Sequence, residues 1–511
     1  MLTISQAETQ RAGGFLAVLT DKSCEYIRSL LPQSAVVGFD GKEADLERII
    51  VHTNPHLDEY FAEFIFRSCL PKERRGCGFA EQSIYSKTAD LACQHLWPTA
   101  AVLGIGGTVS GGVNPLFLFD EHVIDEEIGK SKRTASSCSQ LVSQKLIRRL
   151  PPPLEILLSE VNAIDEYANA HEQNLANLIK PLHEVRFTTK IDPASGNFVS
   201  DFLTPDWKRA IVDASITAIA YCLQEKIDLV GNPDDKKALL KESLENYKLN
   251  SPHSSHPDFE AALKFIRDTY FDQAKVFSEA VLKKDEDRNG KIVKVPILDA
   301  AGNEIPQLFL LSRVVFACEH CWGENIRNII ATHFWEVAMQ SQLNFILVRR
   351  SVAEMFDKNV KRFVSSAGAI CREVLPPMNV GGGRKFPVWL VSIAPTSSVF
   401  LANKGVANFI NEENNVEADS RRRAKGCGLV LVQDRIQGTT ALFKCSAISD
   451  DKWEKLVNLI RAREPDCWHV VPTPSGGIAS FILNGNKTHR HVPRTGLDIV
   501  TLSGLVRHTF Y

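Results

Sequence analysis

The sequence predicts an α/β protein built on a largely parallel sheet, and three features carry that expectation. Short apolar runs (Ile49-Ile50-Val51, Ala101 to Ile105, Leu116 to Phe119) alternate with stretches of helical periodicity through the first third of the chain. Each run gives way to polar or glycine residues, as strands do where they open onto a ligand-binding edge. Further runs, Phe345 to Val348, Val388 to Val391 and Leu429 to Val432, recur towards the end with a helix expected over Asp451 to Arg463, so a second α/β unit follows the first.

Taken in order, Ile49 to Val51 reads as a buried strand. Leu57 to Leu70 places Leu57, Phe61, Phe64, Ile65 and Cys69 at helical spacing. Ala101 to Ile105 is a strand stopped by Gly106-Gly107, and Leu116 to Phe119 is a strand introduced by Pro115. Ser136 to Leu150 is helical, Pro151-Pro152-Pro153 breaks it, and Leu154 to Tyr167 resumes as a helix. From about Pro233 the texture changes. Asp234 to Lys237 and Ser251 to Pro257 read as polar turns, and helices up to residue 345 surround a charged loop, Lys284 to Gly290. The expected organisation is a parallel-sheet domain over 1–230, a helical insert or linker over 231–345 and a smaller α/β domain over 346–511.

A chain of 511 residues exceeds what one core usually supports. Its 44% hydrophobic and 23% charged content are ordinary for a globular protein. A net charge of −2 excludes a global field for nucleic acid, so any such contact must come from a local basic patch. Twelve cysteines without repeating spacing suggest free thiols in a reducing cytosol. Cys318-Glu319-His320-Cys321 has zinc-like spacing but no second pair to complete four ligands, so ordinary helix or loop cysteines are expected there. The sequence has no leader-like start and no apolar run near the ~20 residues of a membrane span. A soluble, cytoplasmic protein without membrane contact is therefore expected.

Chemistry concentrates where the first strands end. Val51-His52-Thr53-Asn54-Pro55-His56-Leu57-Asp58-Glu59 puts two imidazoles and two carboxylates at a strand-to-helix turn, a donor set suited to manganese, iron or zinc rather than calcium. The plainer alternative is a helix N-terminus at which Asp58 and Glu59 merely favour the dipole. Asp120-Glu121-His122 follows the third run, and Gly104-Ile105-Gly106-Gly107 ends the second, where backbone can approach a ligand closely. Among the basic clusters, Lys132 and Arg133 lie just after the acidic stretch, whereas Arg421 to Lys425 is expected in a loop.

His52-x-x-Pro55-His56-x-Asp58 resembles the first motif of DHH phosphoesterases, and Asp120-Glu121-His122 resembles their Asp-His-His signature with Glu121 in the first histidine's place. Thr134 to Val142 resembles the serine-rich helix start that follows it. The branch it is most similar to is the melanocyte-proliferating-gene family of metal-dependent exonucleases, through His56-x-Asp58-Glu59, Gly104-Ile105-Gly106-Gly107, Asn162-Ala163-Ile164-Asp165 and the glycine-rich Phe481 to Thr488. The motifs agree in order over residues 45–225 and about 426–511. The resemblance implies metal ligation by His52, His56, Asp58, Glu121 and Asp165, with His122 and Asp120 in the catalytic positions. Substrate contacts are expected from the Gly106 and Gly107 amides, from Lys132 and Arg133 just after the acidic motif, and from the glycine-rich Asn484, Gly485, Asn486 and Lys487 of the C-terminal domain. One position departs from the pattern: the family's metal-bridging aspartate falls at Gly104, which has no side chain. Two cations ~3.5–4 Å apart normally need a shared anionic ligand, so either Asp120 or Glu121 substitutes, or one metal binds, or catalysis is lost.

The expected function is a phosphoesterase dependent on a divalent metal, Mn2+ ahead of Mg2+, acting on single-stranded nucleic acid or an oligonucleotide. An assembly with itself or with a partner subunit is compatible with this. The rival from another class is a catalytically degenerate DHH-like subunit that binds a nucleotide or a partner protein. A small phosphorylated substrate, such as pyrophosphate or a cyclic dinucleotide, shares the metal chemistry.

Overall fold

A computed structural model describes residues 1–2, 4, 15–31, 33–52, 55–82, 94–105, 114–125, 130–133, 135–167, 170–171, 173–184, 205–271, 280–286, 292–357, 362–365, 368–369, 372–379, 385–393, 428–434, 439–444, 448–465, 467–472, 478–484 and 495–510. The chain divides into two units, one over essentially 1–343 and one over 344–511.

In the first unit, helix α1 (Phe15–Leu30) precedes β1 (Arg48–His52), α2 (Leu57–Cys69), β2 (Gly78–Gln82), β3 (Ala100–Leu103) and β4 (Phe117–Phe119). These four strands form one sheet in the order β2-β1-β3-β4, every pair parallel. Fully buried Ile49, Ile50 and Val51 explain why β1 is central: a parallel strand covered on both faces carries a continuous apolar run. The α/β class read from the sequence is the class the protein has.

A hairpin, β5 (His122–Asp125) and β6 (Lys130–Arg133), leads to α3 (Cys138–Leu146), α4 (Pro152–Tyr167), α5 (Leu175–Glu184) and α6 (Pro205–Gln224). All thirteen residues of α2 are buried. It packs against α1, α3 and α6, and so is a core helix rather than an amphipathic surface one. Near it Phe39, Phe66 and Phe117 meet edge to face at 5.2–5.7 Å.

The segment expected as an insert is helical but does not stand apart. It contains α7 (Pro233–Asn250), α8 (Phe259–Phe271), α9 (Leu311–Trp322) and the first part of α10 (Glu324–Met355). α9 packs on α6 and α7, which ties this region into the first unit. Three local expectations are corrected. Asp234 to Lys237 is the first turn of α7, with Pro233 at the position where its missing N–H costs nothing and acids favour the helix dipole. The charged stretch around Lys284 is a hairpin, β7 (Leu282–Glu286) with β8 (Ile292–Pro296). Phe345 to Val348 lies in α10, where Phe345 and Leu347 are each 43% exposed, so an apolar run there is a half-solvated helix face and not a strand. Cys318 and Cys321 are buried in α9, and burial pushes both thiols up, which keeps them neutral.

In the second unit, β9 (Phe356–Asp357), β10 (Arg362–Ser365) and β11 (Gly368–Ala369) form a small antiparallel sheet. A six-stranded mixed sheet follows, built from β12 (Arg372–Asn379), β13 (Lys385–Ile393), β14 (Leu429–Asp434), β15 (Thr439–Lys444), β16 (His469–Pro472) and β17 (Ile478–Asn484) in the order β12-β13-β14-β15-β17-β16. Among these pairings, β13 with β14 is parallel and the rest are antiparallel. Helices α11 (Asp450–Arg463) and α12 (Ile499–Phe510) share its core through Trp453, Leu456, Ile482, Leu502 and Val506. Trp468 is 5% exposed and belongs to this core. Arg421 to Lys425 and the side chain of Phe481 lie outside what is described. Among the described residues, no helix is long and apolar enough to cross a membrane.

Candidate metal centre

The carboxyl edge of the parallel sheet is where β1 hands over to α2, β3 to Gly104 and β4 to Asp120-Glu121. One oxygen each from Asp58, Glu121 and Asp165 all lie within 4.8 Å of one another there. Three separate stretches of sequence supply them: the first turn of α2, the turn after β4 and the last turn of α4.

Asp58 is held most firmly. Its Oδ2 accepts the backbone N–H of Cys138 at 2.9 Å and its Oδ1 accepts that of Ser139 at 2.9 Å, while the Ser139 hydroxyl donates to the Asp58 carbonyl at 2.7 Å. The carboxylate therefore sits in the first turn of its own helix and also satisfies two orphan donors of α3. Two helix N-termini favour its ionised form. Burial opposes that and, with the nearby Asp165, Glu59 and Glu121 carboxylates, pushes its pKa well above the ordinary aspartate range. Asp165 is placed through its own helix: Asn162, one turn earlier, accepts the Ser137 hydroxyl at 2.5 Å, and Ser137 caps α3 by accepting the N–H of Gln140 at 3.0 Å. Glu121 is 5% exposed, two residues beyond the end of β4.

Gly104 and Glu59 are coupled by shape. Gly104 has a positive φ of 63° and donates its N–H to the Phe119 carbonyl at 2.8 Å. A Cβ there would come 2.8 Å from Glu59 Cγ, closer than real Cβ contacts allow. Glu59, 7% exposed, thus fills the space a side chain at 104 would need. Its Oε2 accepts the His56 N–H at 2.7 Å. The Asp-Glu pair in the sequence was signal enough to mark Glu59 as an acid at this turn, but not to place it over the glycine.

The other predicted residues are distributed differently. His56 has a half-exposed side chain with Nδ1 3.9 Å from Glu59 Oε2, and it is not among the clustered donors. The side chains of His52, His122, Lys132 and Arg133 lie outside the described residues, as do Gly106, Gly107, Gly485, Asn486 and Lys487 entirely. Backbone pairing sets His122 opposite Arg133 and Val123 opposite Lys132, so both basic positions stand on the strand beside the one that leaves Glu121. Asp120 is half-buried at the end of β4. Asn484 is 1% exposed, donates to the Cys467 carbonyl and accepts the Thr495 N–H at 3.0 Å. That side chain holds its own segment together instead of facing a substrate.

Three carboxylates converging where two are almost wholly buried repel one another unless protons or a cation neutralise them. Hard oxygen donors of this kind suit Mg2+ or Mn2+. The residues present therefore fit a divalent ion.

No family model and no curated protein matches this chain. A solved structure described as the DHH domain of a member of a family of ribosomal proteins is similar over 99% of this chain and 93% of that one, at 11% identity and a TM-score of 0.36. So loose a superposition carries no functional weight.

Proposed function

We propose that this chain is a DHH-type phosphoesterase dependent on a divalent metal, with Asp58, Glu121 and Asp165 as the core of the ligand set. The observation that carries the reading is the approach of those three oxygens to within 4.8 Å at the ligand-binding edge of a parallel sheet. Glu59 supplies the negative charge that Gly104 lacks, since its side chain occupies the space above that glycine. His52 and His56 are assigned as further ligands from the β1–α2 turn, His56 by a turn of its half-exposed side chain towards the three acids.

A bound Mn2+ or Mg2+ supplies a water of lowered pKa and neutralises charge on the phosphoryl oxygens. The protein's part is positioning. Asp58 is fixed by two backbone N–H donors, so its free lone pairs are presented in one direction. His122, next to Glu121, is the group assigned to protonate the leaving oxygen, with Asp120 beside it. Gly106 and Gly107 offer backbone N–H groups, and Lys132 and Arg133 offer cations, to a phosphate. Gly485, Asn486 and Lys487 are assigned further phosphate contacts. The substrate class we favour is the end of a single-stranded nucleic acid, in keeping with basic positions paired in register with the active-site turn.

The test is Mn2+-dependent release of mononucleotides from end-labelled strands by the purified chain, run beside elemental metal analysis. Asp165→Asn is expected to lose activity and bound metal while keeping its melting temperature. Asp58→Ala is expected to lose both and also about 1–2 kcal/mol of stability, because two helix N–H donors lose their acceptor. Turnover of pyrophosphate or a cyclic dinucleotide, with strands untouched, would move the substrate class. Absence of hydrolysis with any divalent metal would leave the silent nucleotide- or partner-binding subunit, which the replacements at Gly104 and Glu121 favour.

A further inference from the structure

Residues 137–139 are the joint at which the three acid-bearing segments of the centre meet, and all three are 0% exposed. The Cys138 and Ser139 amides hold the two oxygens of Asp58 on α2. The Cys138 thiol donates to the Phe119 carbonyl at 3.4 Å, two residues before Glu121. Ser137 reaches α4. Its hydroxyl oxygen accepts the Gln140 N–H at 3.0 Å, which leaves its one proton for Asn162 Oδ1, 2.5 Å away. Asp165 follows Asn162 by three residues and neighbours it on the surface of α4.

Capping α3 does not need the Asn162 bond. Ser137 caps the helix through the oxygen that accepts, and Gln140 closes the other half by accepting the Ser136 N–H at 2.7 Å. The donated proton instead ties the C-terminal part of α4 to the start of α3, whose amides already fix Asp58. One serine therefore sets the separation between Asp58 and Asp165, two of the three acids whose oxygens lie within 4.8 Å of one another. Small and large cations respond differently to such a constraint. Mg2+ demands near-ideal geometry with oxygens about 2.0–2.1 Å away, whereas Ca2+ accepts looser sets at about 2.3–2.6 Å. Donors held in place favour the smaller ion, and donors free to spread favour Ca2+.

We propose that Ser137 is a positioning residue for the metal centre, and that its bond to Asn162 makes the centre prefer Mg2+ and Mn2+ to Ca2+. The inference rests on the metal-dependent reading above and adds to it what chooses the ion.

Titration of the purified chain with Mn2+, followed by electron paramagnetic resonance, gives the affinity for the smaller ion, and displacement by Ca2+ gives the preference. Asn162→Ala removes the acceptor and leaves the Ser137 cap in place. It should weaken Mn2+ binding about ten-fold or more, as the loss of a group behind a metal ligand does. Ca2+ should weaken much less, so the preference for Mn2+ falls several-fold. Ser137→Ala breaks the same bond from its other end and should lower the preference equally, with a lower melting temperature from the lost cap. Asn162 is half-buried, so trimming it should keep the fold, which the melting profile of the metal-free chain checks. A helix-packing role alone would weaken both ions in proportion. Variants that weaken Mn2+ and Ca2+ alike, or neither, overturn the positioning role and leave the metal centre standing, as does a wild-type chain that binds both ions equally. A wild-type chain that binds no divalent ion overturns the metal-dependent reading and this inference with it.

Discussion

Glu160 shows how far one buried acid can set the protein's response to pH. It is 0% exposed on α4, and its oxygens accept the Leu308 N–H at 2.7 Å, the Phe309 N–H at 3.2 Å and the Asn174 amide at 2.9 Å. Burial outweighs those donors and raises its pKa to about 7. An acid whose folded pKa is raised holds its proton in the native state where the unfolded chain has released it. Stability therefore falls as pH rises from about 4.5, the ordinary value, through about 7. The span corresponds to roughly 3 kcal/mol. Urea unfolding between pH 4.5 and 8 should show that decline, and Glu160→Gln should flatten it. A wild-type curve without that slope would mean the carboxylate stays charged on its three donors. None of this was legible in the sequence, because Glu160 reads as one more polar position in a helix, and its partners lie up to 149 residues away.

Elements were legible where burial is symmetrical and local chemistry is plain. β1, β3, β13 and β14 each contain a continuous apolar run, and each was expected within a few residues of where it lies. α2 was readable as a helix from its spacing, but not as a helix buried on every side, since its Glu63–Arg67 pair looks like a solvated face. Phe345 to Val348 misled because four apolar residues in a row suit a strand or a helix equally. The candidate centre was legible to the extent that Asp58, Glu121 and Asp165 converge. The filling of Gly104's space by Glu59 was not, because it depends on how the first turn of α2 packs over the end of β3. A second junction between elements lends itself to measurement. Glu336 on α10 accepts the Tyr247 hydroxyl of α7 at 2.6 Å and lies 2.6 Å from His253 Nε2. Burial opposes its ionisation, but those contacts together with Gln340 outweigh it and hold its pKa below the ordinary range. The stability this contributes is present above pH ~4.5 and is lost as pH falls through the depressed value. Tyr247→Phe should cost about 1 kcal/mol and move the midpoint of acid unfolding upwards; an unmoved midpoint would show the bond is not made.

At the scale of the whole molecule, two units with separate cores imply separable unfolding. Trp453, 0% exposed between α11 and the mixed sheet, belongs only to the second. Trp453→Ala is expected to cost about 3–5 kcal/mol there. Calorimetry should resolve two transitions, of which the substitution lowers one; a single transition shifted as a whole would show that the units melt together.

The glycine at 104 also constrains how this protein can change. Placing an aspartate there would thrust a methylene into Glu59, and trimming Glu59 alone would leave a void beside an acidic centre one charge poorer. Each single step carries a penalty that the pair of steps together avoids. Positions 59 and 104 are thus tied together by volume: the long acid at one is tolerated because the other carries no side chain, so the two are expected to vary as a pair.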